Sequence, residues 1–235
     1  MGDTAKDIEK SIANNTLKVR ERIHNAARRA GREPYLVRLL AATKTRSVEQ
    51  IREALAAGVD FIGENRAQEM EKKYREIGNV AQWHFIGHLQ RNKARLVVGI
   101  ASLIHSVDSV RIAEKIDEEA KRAGKIQKVL LQVNVSGEET KFGFTLDDVH
   151  EFLEHSCELS NLDIVGLSTL APEVNDPEEV RWVFRDLRIL GEKLNEEFRT
   201  FRLEELSMGM TKDFEVAVEE GATIVRVGSA IFECG

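Results

Sequence analysis

The chain has 235 residues, 42% of them apolar, and a net charge of −6 with a pI near 5.7. This length is enough for one well-buried domain, and the acidic balance argues against a nucleic-acid binder, whose affinity would depend on clustered basic side chains. The two cysteines, Cys157 and Cys234, form neither a disulfide framework nor a metal-binding pattern. No apolar stretch approaches the ~18 residues of a membrane span. We therefore expect a cytoplasmic protein with no nucleic-acid or membrane partner and no metal.

A charge-rich amphipathic helix is predicted first, over residues 5–30, and Gly31 with Pro34 ends it. Eight apolar, β-branched runs then alternate with amphipathic segments, and this pattern predicts strands followed by helices. The predicted strands are residues 37–44, 61–65, 82–87, 103–107, 129–135, 164–170, 203–208 and 224–232. The predicted helices between them include residues 48–57, 67–77, 110–123, 146–157, 177–198 and 214–220.

This alternation defines the expected architecture. Strands that are apolar on both faces indicate a parallel sheet covered by helices. Eight such units in 235 residues fit a single (β/α)₈ TIM barrel better than an open α/β sheet, which is the alternative. No linker, low-complexity tract or internal repeat divides the chain. Residues 1–235 are therefore predicted to form one domain, with a helix within residues 1–31 packed on the barrel.

Polar side chains follow the predicted strands. In a TIM barrel the working residues lie at the C-terminal ends of the strands, which all meet at one face. We expect the candidates to converge there. In chain order they are Lys44, Glu64, Asn65, His84, Gly87, Asn134, Ser168, Thr169, residues 207–211 and residues 226–229.

Lys44 ends the first apolar run and precedes a polar stretch that begins a helix. A lysine held inside a fold with its amine partly stripped of water is a plausible nucleophile for forming a Schiff base. The alternative is a lysine whose ammonium group simply reaches solvent at the end of a strand.

The loops after the seventh and eighth predicted strands indicate a phosphate site. Glycine-containing turns that lead into helices present free backbone N–H groups to an anion, helped by serine or threonine hydroxyls. Gly209, Thr211, Gly228 and Ser229 supply these features, at the usual position of a phosphate in this architecture. Alternatively the glycines only relieve crowding at turns, but the presence of both loops favours a ligand.

Arg226 interrupts an otherwise apolar strand. A buried arginine keeps its proton and needs a partner, either a carboxylate of the protein or a ring nitrogen of a ligand. A lysine on strand one, an arginine on strand eight and a phosphate site are together what an aldehyde cofactor such as pyridoxal phosphate requires.

Six segments carry a resemblance to a known family. They are residues 42–45 (ATKT), 61–65 (FIGEN), 83–93 (WHFIGHLQRNK), 141–144 (KFGF), 206–213 (LSMGMTKD) and 225–232 (VRVGSAIF). In this order, over nearly the whole chain, they resemble the pyridoxal phosphate homeostasis protein family, whose fold is like the N-terminal barrel of alanine racemase.

The resemblance implies a role for each matching residue. It implies that Lys44 forms a Schiff base with pyridoxal phosphate and that Arg226 faces the pyridine nitrogen. It also implies that Asn65 lies beside the cofactor ring. The residues that it assigns to the phosphate, or close to it, are Thr211, Gly228, Ser229 and Ser207.

The chain departs from the family pattern at a few positions. Thr211 stands where the family more often has serine, and the hydroxyl is kept. Ser168 stands where methionine is frequent, which leaves the contact on that side of the ring open. Residues 233–235 differ from the usual continuation, so nothing at the C-terminus is carried over.

The expected function is binding rather than strong catalysis. An arginine at the pyridine nitrogen opposes its protonation and makes the cofactor a poorer electron sink. A racemase needs two acid–base groups on opposite faces of the substrate carbon, and in alanine racemase the second is a tyrosine from a further domain that we do not expect here. Tyr35 and Tyr74 are poorly placed, and His84 is either a stand-in or a hydrogen-bonded core residue.

We therefore predict a protein that holds pyridoxal phosphate on Lys44 and acts in its intracellular homeostasis. A weak amino-acid racemase is the alternative, and a Schiff-base aldolase is less favoured. Expected partners are the cofactor, amino acids and, transiently, apoenzymes, and the protein is expected to be a monomer. The basic residues 91–95 are interpreted as a solvated helix face rather than a docking surface, and His150 and His155 are assigned no role.

Overall fold

The computed structural model describes residues 3–138 and 140–233, and Cys234 lies outside them. Eight parallel strands close into a barrel, and each strand pairs with its neighbours in chain order, with β8 pairing β1. The strands are β1 Arg38–Ala42, β2 Phe61–Glu64, β3 Gln82–Phe85, β4 Leu103–Val107, β5 Gln127–Gln132, β6 Leu162–Ser168, β7 Glu205–Ser207 and β8 Ile224–Val227. The TIM barrel prediction is confirmed, and the open sheet is wrong.

Helices surround the barrel on the outside. They are α1 Asp3–Arg29, α2 Val48–Ala56, α3 Ala67–Ile77, α4 Ala94–Val98, α5 Val110–Arg122, α6 Leu146–His155, α7 Arg181–Glu197, α8 Phe214–Glu219 and α9 Ser229–Phe232. Each of the longer helices buries one apolar stripe, as in α5, where Ile112 and Ile116 lie one turn apart and are both buried. Within the described residues no helix is both long and apolar enough to span a bilayer.

Two elements differ from the sequence prediction. The eighth strand was expected to extend to residue 232, but it ends at Val227, and the apolar residues Ser229–Phe232 form α9. Gly228 adopts a backbone conformation that is neither strand nor helix, and this breaks the strand. No bounds were predicted for the short helix α4, because five residues carry too little periodicity to define them, although residues 91–95 were interpreted as a helix face.

The additional helix α1 packs against α2, α8 and α9. From residue 12 onward its buried side chains are Ile12, Thr16, Val19, Ile23, Ala26 and Ala27. Apart from the adjacent Ala26 and Ala27 they recur every three or four residues, which produces one mainly apolar face against these helices. α1 therefore packs beside the segment that joins β8 to α9.

The barrel interior divides into an apolar part and a polar part. Leu40, Phe61, Leu103, Leu130 and Ile224 form a small apolar cluster apart from the main core. The strands also contribute buried polar side chains, and these form a continuous hydrogen-bonded chain. Its members are His84, His105, Ser207 and Arg226.

Candidate functional site

The predicted site residues come from strand ends that are neighbours in the barrel. Strand β8 pairs with β1 in a register that aligns Arg226 with Leu40. Gly228 comes directly after β8, and a β-carbon built there would lie 3.4 Å from the carbonyl oxygen of Ala42, the last residue of β1. The chain from Ala42 to Lys44 therefore starts beside the loop that leads into α9, as the topology predicts.

Lys44 lies two residues beyond β1 and is exposed. The expectation that its amine is partly stripped of water inside the fold is therefore wrong, because the strand ends at Ala42 and the lysine projects from the following turn. The amine has no hydrogen-bond or ion-pair partner in the part of the chain that is described. The next residue, Thr45, has a φ of 64°, which is strained for a β-branched residue and fixes the turn in an unusual conformation.

A buried ion pair supports this turn from beneath. The Lys73 Nζ lies 2.6 Å from Oε1 of Glu64 and donates to the carbonyl oxygen of Thr43 at 2.7 Å. The Thr43 hydroxyl donates to the same Glu64 oxygen at 2.6 Å. Two of these three buried contacts hold Thr43, the residue that precedes Lys44. The sequence indicates Glu64 at the end of a predicted strand, but Lys73 was not singled out. Lys73 stands nine residues after Glu64 on the helix that follows the strand, and this spacing could have suggested the pair.

Arg226 is buried, and its guanidinium group lies inside the barrel. Nη1 donates to the carbonyl oxygen of Ser207 at 2.6 Å and to its hydroxyl at 2.5 Å, and Nη2 donates to the carbonyl oxygen of Thr169 at 2.7 Å. Burial lowers the pKa of Arg226 to about 10, opposed by the negative charge of Asp213, so the group is still charged at neutral pH. A structural ion pair was the alternative for this residue, but carbonyl and hydroxyl oxygens hold it instead.

Two neutral histidines continue inward from Ser207. The hydroxyl of Ser207 lies 2.8 Å from Nδ1 of His105, and Nε2 of His105 lies 2.9 Å from Nδ1 of His84. Burial, with a contribution from the Arg38 charge, lowers the pKa of His84 to about 3, and burial lowers the pKa of His105 well below its usual value. His84 also stacks on Phe61, with ring centroids 4.2 Å apart. His84 is therefore a core residue and does not lie at the barrel mouth, which corrects its predicted position.

The loops after β7 and β8 meet. The backbone N–H of Gly228 points to the hydroxyl of Thr211 at 3.4 Å. Gly209 has a φ of 90°, and a β-carbon there would lie 2.6 Å from that of Ala217, so only glycine fits this turn. At the start of α9 the amides of Ser229 and Ala230 have no acceptor among the described residues.

Asp213 closes the loop that carries Thr211. Its carboxylate accepts from the Met210 amide at 2.5 Å, and burial raises its pKa against the opposing effects of that hydrogen bond and of Arg226. The loop is therefore shaped by its own side chain and by Gly209. This preformed turn leaves the Thr211 hydroxyl half-buried beside α9.

The remaining candidates lie at strand ends or in the loops that follow them. Asn65 is half-buried directly after β2, and Gly87 packs so closely that a β-carbon there would lie 2.1 Å from the Asn65 carbonyl oxygen. Ser168 ends β6, and its hydroxyl donates to the His105 carbonyl oxygen at 2.5 Å. The Asn134 side chain donates into its own loop, to the Glu138 carbonyl oxygen at 2.9 Å, which makes it structural.

Further residues lie away from this site. Tyr35 is exposed in the turn before β1, and Tyr74 packs edge-on against Trp83. Of the basic residues 91–95, Arg91 and Arg95 are exposed, in agreement with a solvated face. His150 and His155 have separate partners, Glu197 and the carbonyl oxygen of Glu151. Among the residues that the structure describes, no His, Cys, Asp and Glu cluster suits a metal ion.

The arrangement fits a small molecule that carries an aldehyde, a ring nitrogen and a phosphate. Lys44 supplies an amine without a partner among the residues that the structure describes, and Arg226 supplies a buried positive charge. Thr211, Ser229 and the free amides at the start of α9 supply hydrogen-bond donors to an anion. Each of these three features comes from a different loop or strand of the same barrel end.

Comparison with known proteins identifies the class. The alanine racemase N-terminal domain family matches residues 12–234. A pyridoxal phosphate homeostasis protein of Aquifex aeolicus is 46% identical over 216 residues, which are 92% of this chain and 94% of that protein. The structure is thus an alanine racemase-like barrel.

Two solved structures cover the chain almost completely. A crystal structure of an unknown protein from Bifidobacterium adolescentis shares 39% identity at a TM-score of 0.88, over 99% of this chain and 98% of the other. PipY of Synechococcus elongatus PCC7942, solved with PLP bound, shares 35% identity at a TM-score of 0.82, over 94% and 99%. The chain belongs to the pyridoxal phosphate homeostasis protein family, as its motifs predict.

Proposed function

We propose that this protein binds pyridoxal phosphate as a Schiff base on Lys44 and acts in intracellular homeostasis of the cofactor. The proposal rests mainly on the pairing of β1 with β8. Because these strands are neighbours, the turn that bears the Lys44 amine begins beside Gly228, which leads into α9. The PLP-bound structure of PipY supports it. Under this proposal Asn65 lies beside the ring, Ser207 is close to the phosphate, and residues 1–235 act as one cofactor-binding domain.

Each residue has a defined task in this proposal. When bound, pyridoxal phosphate supplies an aldehyde carbon that condenses with a primary amine and releases water. Lys44 supplies that amine from an exposed turn, where another amine or water can also reach it. Thr211, Gly228 and Ser229 hold the phosphate by hydroxyl and amide donors.

Arg226 limits the reactions that the bound cofactor can support. Its charge is held inside the barrel by Ser207 and Thr169, and a fixed positive charge at the pyridine nitrogen opposes protonation of that nitrogen. The ring is then a weak electron sink, which favours storage over conversion of amino acids. The tyrosines and His84 lie elsewhere, so no second acid–base group from these candidates faces Lys44.

The biological task in this proposal is to keep a reactive aldehyde away from free amines. Release reverses the condensation with Lys44, and apoenzymes in the cytoplasm receive the cofactor. Amino acids are the competing amines. A monomer suffices for this task, because every residue that the proposal uses belongs to one barrel end.

The direct test is the visible absorbance spectrum of the protein with added pyridoxal phosphate, before and after borohydride, followed by peptide mass mapping. We expect a yellow band that borohydride removes and a reduced adduct on the peptide containing Lys44. An adduct scattered over surface lysines, or no band, contradicts the proposal. Chiral chromatography after incubation with L- and D-amino acids tests the racemase alternative, which requires turnover that Lys44→Ala abolishes.

The Thr211 hydroxyl is expected to contribute to phosphate binding. Thr211→Val removes one donor to a charged oxygen, so the affinity for pyridoxal phosphate should fall by about 10- to 100-fold, since a hydrogen bond to a charged group is worth ~1.5–3 kcal/mol. Thr211→Ser keeps the hydroxyl and is the matched control, with near-native affinity. A titration followed by absorbance distinguishes the two variants, and equal affinities for both would contradict this role.

A further inference from the structure

A cavity opens at the N-terminal end of the barrel, opposite the end that bears Lys44. It has a volume of about 840 Å³, and the first residues of the strands line it, among them Arg38, Phe61, Gln82 and Leu103. The segment 199–204, between α7 and β7, also lines it. Its size is that of a small-molecule site. None of the residues assigned to pyridoxal phosphate above lines this cavity.

The cavity is positively charged although the chain as a whole is negative. Arg38 forms an ion pair with Glu205, so these two charges cancel. The other charged side chains that line it are the cations Lys125, Lys128, Arg199 and Arg202 and the carboxylates Asp163 and Glu204. Four cations against two carboxylates leave a net charge of +2, which complements a dianion.

Three of these cations are available to a ligand. Lys128, Arg199 and Arg202 are exposed, and none of them has an ion-pair partner within the described ranges. Lys125 donates instead to the carbonyl oxygens of Val98 and Ala101 at 3.0 and 3.1 Å. The guanidinium group binds phosphate oxygens in pairs, which suits Arg199 and Arg202 to a phosphate.

The walls are partly apolar. Phe61, Leu103, Ile126, Phe201 and Ile224 line the cavity together with the charged groups. Ile126 is 65% exposed, which is unusual for a large apolar side chain unless something covers it. Apolar walls beneath a charged rim suit an organic anion better than an inorganic ion.

His84 lines this cavity, and its Nε2 atom has no hydrogen-bond partner among the described residues. The Arg226 guanidinium can only donate, so the hydroxyl of Ser207 accepts from it. The other polar atom at this hydroxyl within the described chain is Nδ1 of His105, so we assign the hydroxyl hydrogen to that contact. Neutral His105 then carries its hydrogen on Nε2 and donates to Nδ1 of His84. Neutral His84 therefore carries its hydrogen on Nε2.

This Nε2–H group of His84 reaches no acceptor among the residues described, although only 3% of the side chain is exposed. The donor faces the cavity, so a ligand or water there can accept from it. The assigned direction of the hydrogen-bond chain therefore favours an acceptor in the cavity, in agreement with the positive charge.

We propose that this cavity is a second ligand site, which binds a small organic phosphate monoester through Arg199, Arg202 and Lys128, with an oxygen of the ligand accepting from Nε2–H of His84. The apolar walls hold the organic part. The site lies at one end of a hydrogen-bond chain whose other end is Arg226, and it does not depend on any chemistry at Lys44.

The test is calorimetric titration of the protein with phenyl phosphate, a probe without an aldehyde. The double variant Lys128→Ala with Arg202→Ala should lower its affinity by about tenfold or more, since it removes two charge-assisted contacts at the cavity. The matched control is Arg91→Ala with Arg95→Ala, which removes two exposed cations elsewhere and should leave the affinity unchanged.

Nuclear magnetic resonance of the histidine side chains gives an independent readout on the unaltered protein. Phenyl phosphate should shift the Nε2–H resonance of His84, while those of His150 and His155 stay in place. The absence of binding, an unshifted His84 resonance, or an unchanged affinity in the variant Lys128→Ala with Arg202→Ala overturns the proposal. These outcomes leave the proposal for Lys44 intact.

Discussion

Replacing Lys44 with alanine is expected to abolish the yellow band of the bound cofactor and to lower the affinity for pyridoxal phosphate by about 100-fold, or about 3 kcal/mol. The covalent link is lost, whereas Arg226 and the loop that carries Thr211 remain. Residual binding through those groups should persist. Absorbance and fluorescence titrations of the wild type and the variant measure both effects.

Lys72→Ala is the matched control for this experiment. Lys72 is also exposed and lies on α3, outside the proposed site. Its removal should change neither the band nor the affinity. If Lys44→Ala kept the spectrum and the affinity of the wild type, the cofactor would be attached elsewhere and the proposed function would be wrong.

Lys73→Met is expected to lower the free energy of unfolding by about 3–5 kcal/mol, because it leaves a buried carboxylate without its cation. Glu64 is fully buried, its Oε1 lies 2.6 Å from the Lys73 amine, and its Oε2 has no hydrogen-bond partner within the described part of the chain. The variant also removes the contact to the Thr43 carbonyl oxygen. We therefore expect weaker binding of pyridoxal phosphate, because the turn that carries Lys44 loses its support.

Chemical denaturation measures the decrease in the free energy of unfolding. Lys72→Met is the control, because it makes the same substitution on the exposed face of α3. Adding Glu64→Gln to Lys73→Met removes the uncompensated charge and should restore part of the stability. If Lys73→Met is as stable as Lys72→Met, the buried ion pair does not stabilise the fold and the interpretation is refuted. A double variant no more stable than Lys73→Met would show that packing, rather than charge, is what the lysine provides.

The sequence indicated candidates for the site but not the residues around them. Lys44, Thr211, Arg226 and Gly228 were all proposed from residue type and position after apolar runs. The residues that hold these side chains in place were not predicted. His105 lies inside a uniformly buried strand, and nothing in its neighbours along the chain distinguishes it from a packing residue.

His84 illustrates that a residue late in an apolar run need not lie at the C-terminal mouth of the barrel. The residue was assigned to the mouth because it stands late in an apolar run, yet β3 comprises only Gln82–Phe85 and the imidazole lies inside the barrel. The exposure of Lys44 was misjudged for the same reason, since β1 ends two residues earlier than the apolar pattern suggests. The end of a strand depends on pairing with its neighbours, which the pattern of apolar residues does not contain.

The sequence by itself determined the barrel and the identity of the cofactor-binding candidates, because alternating periodicity and glycine-rich strand ends are local properties of the chain. Only the tertiary structure decided the direction of the hydrogen-bond chain from Arg226 to His84 and the charged cavity at the other end of the barrel. These features join residues that are far apart in sequence, from Arg38 to Arg226. Hydrogen bonds and cavities depend on distances in space, and barrel closure sets those distances.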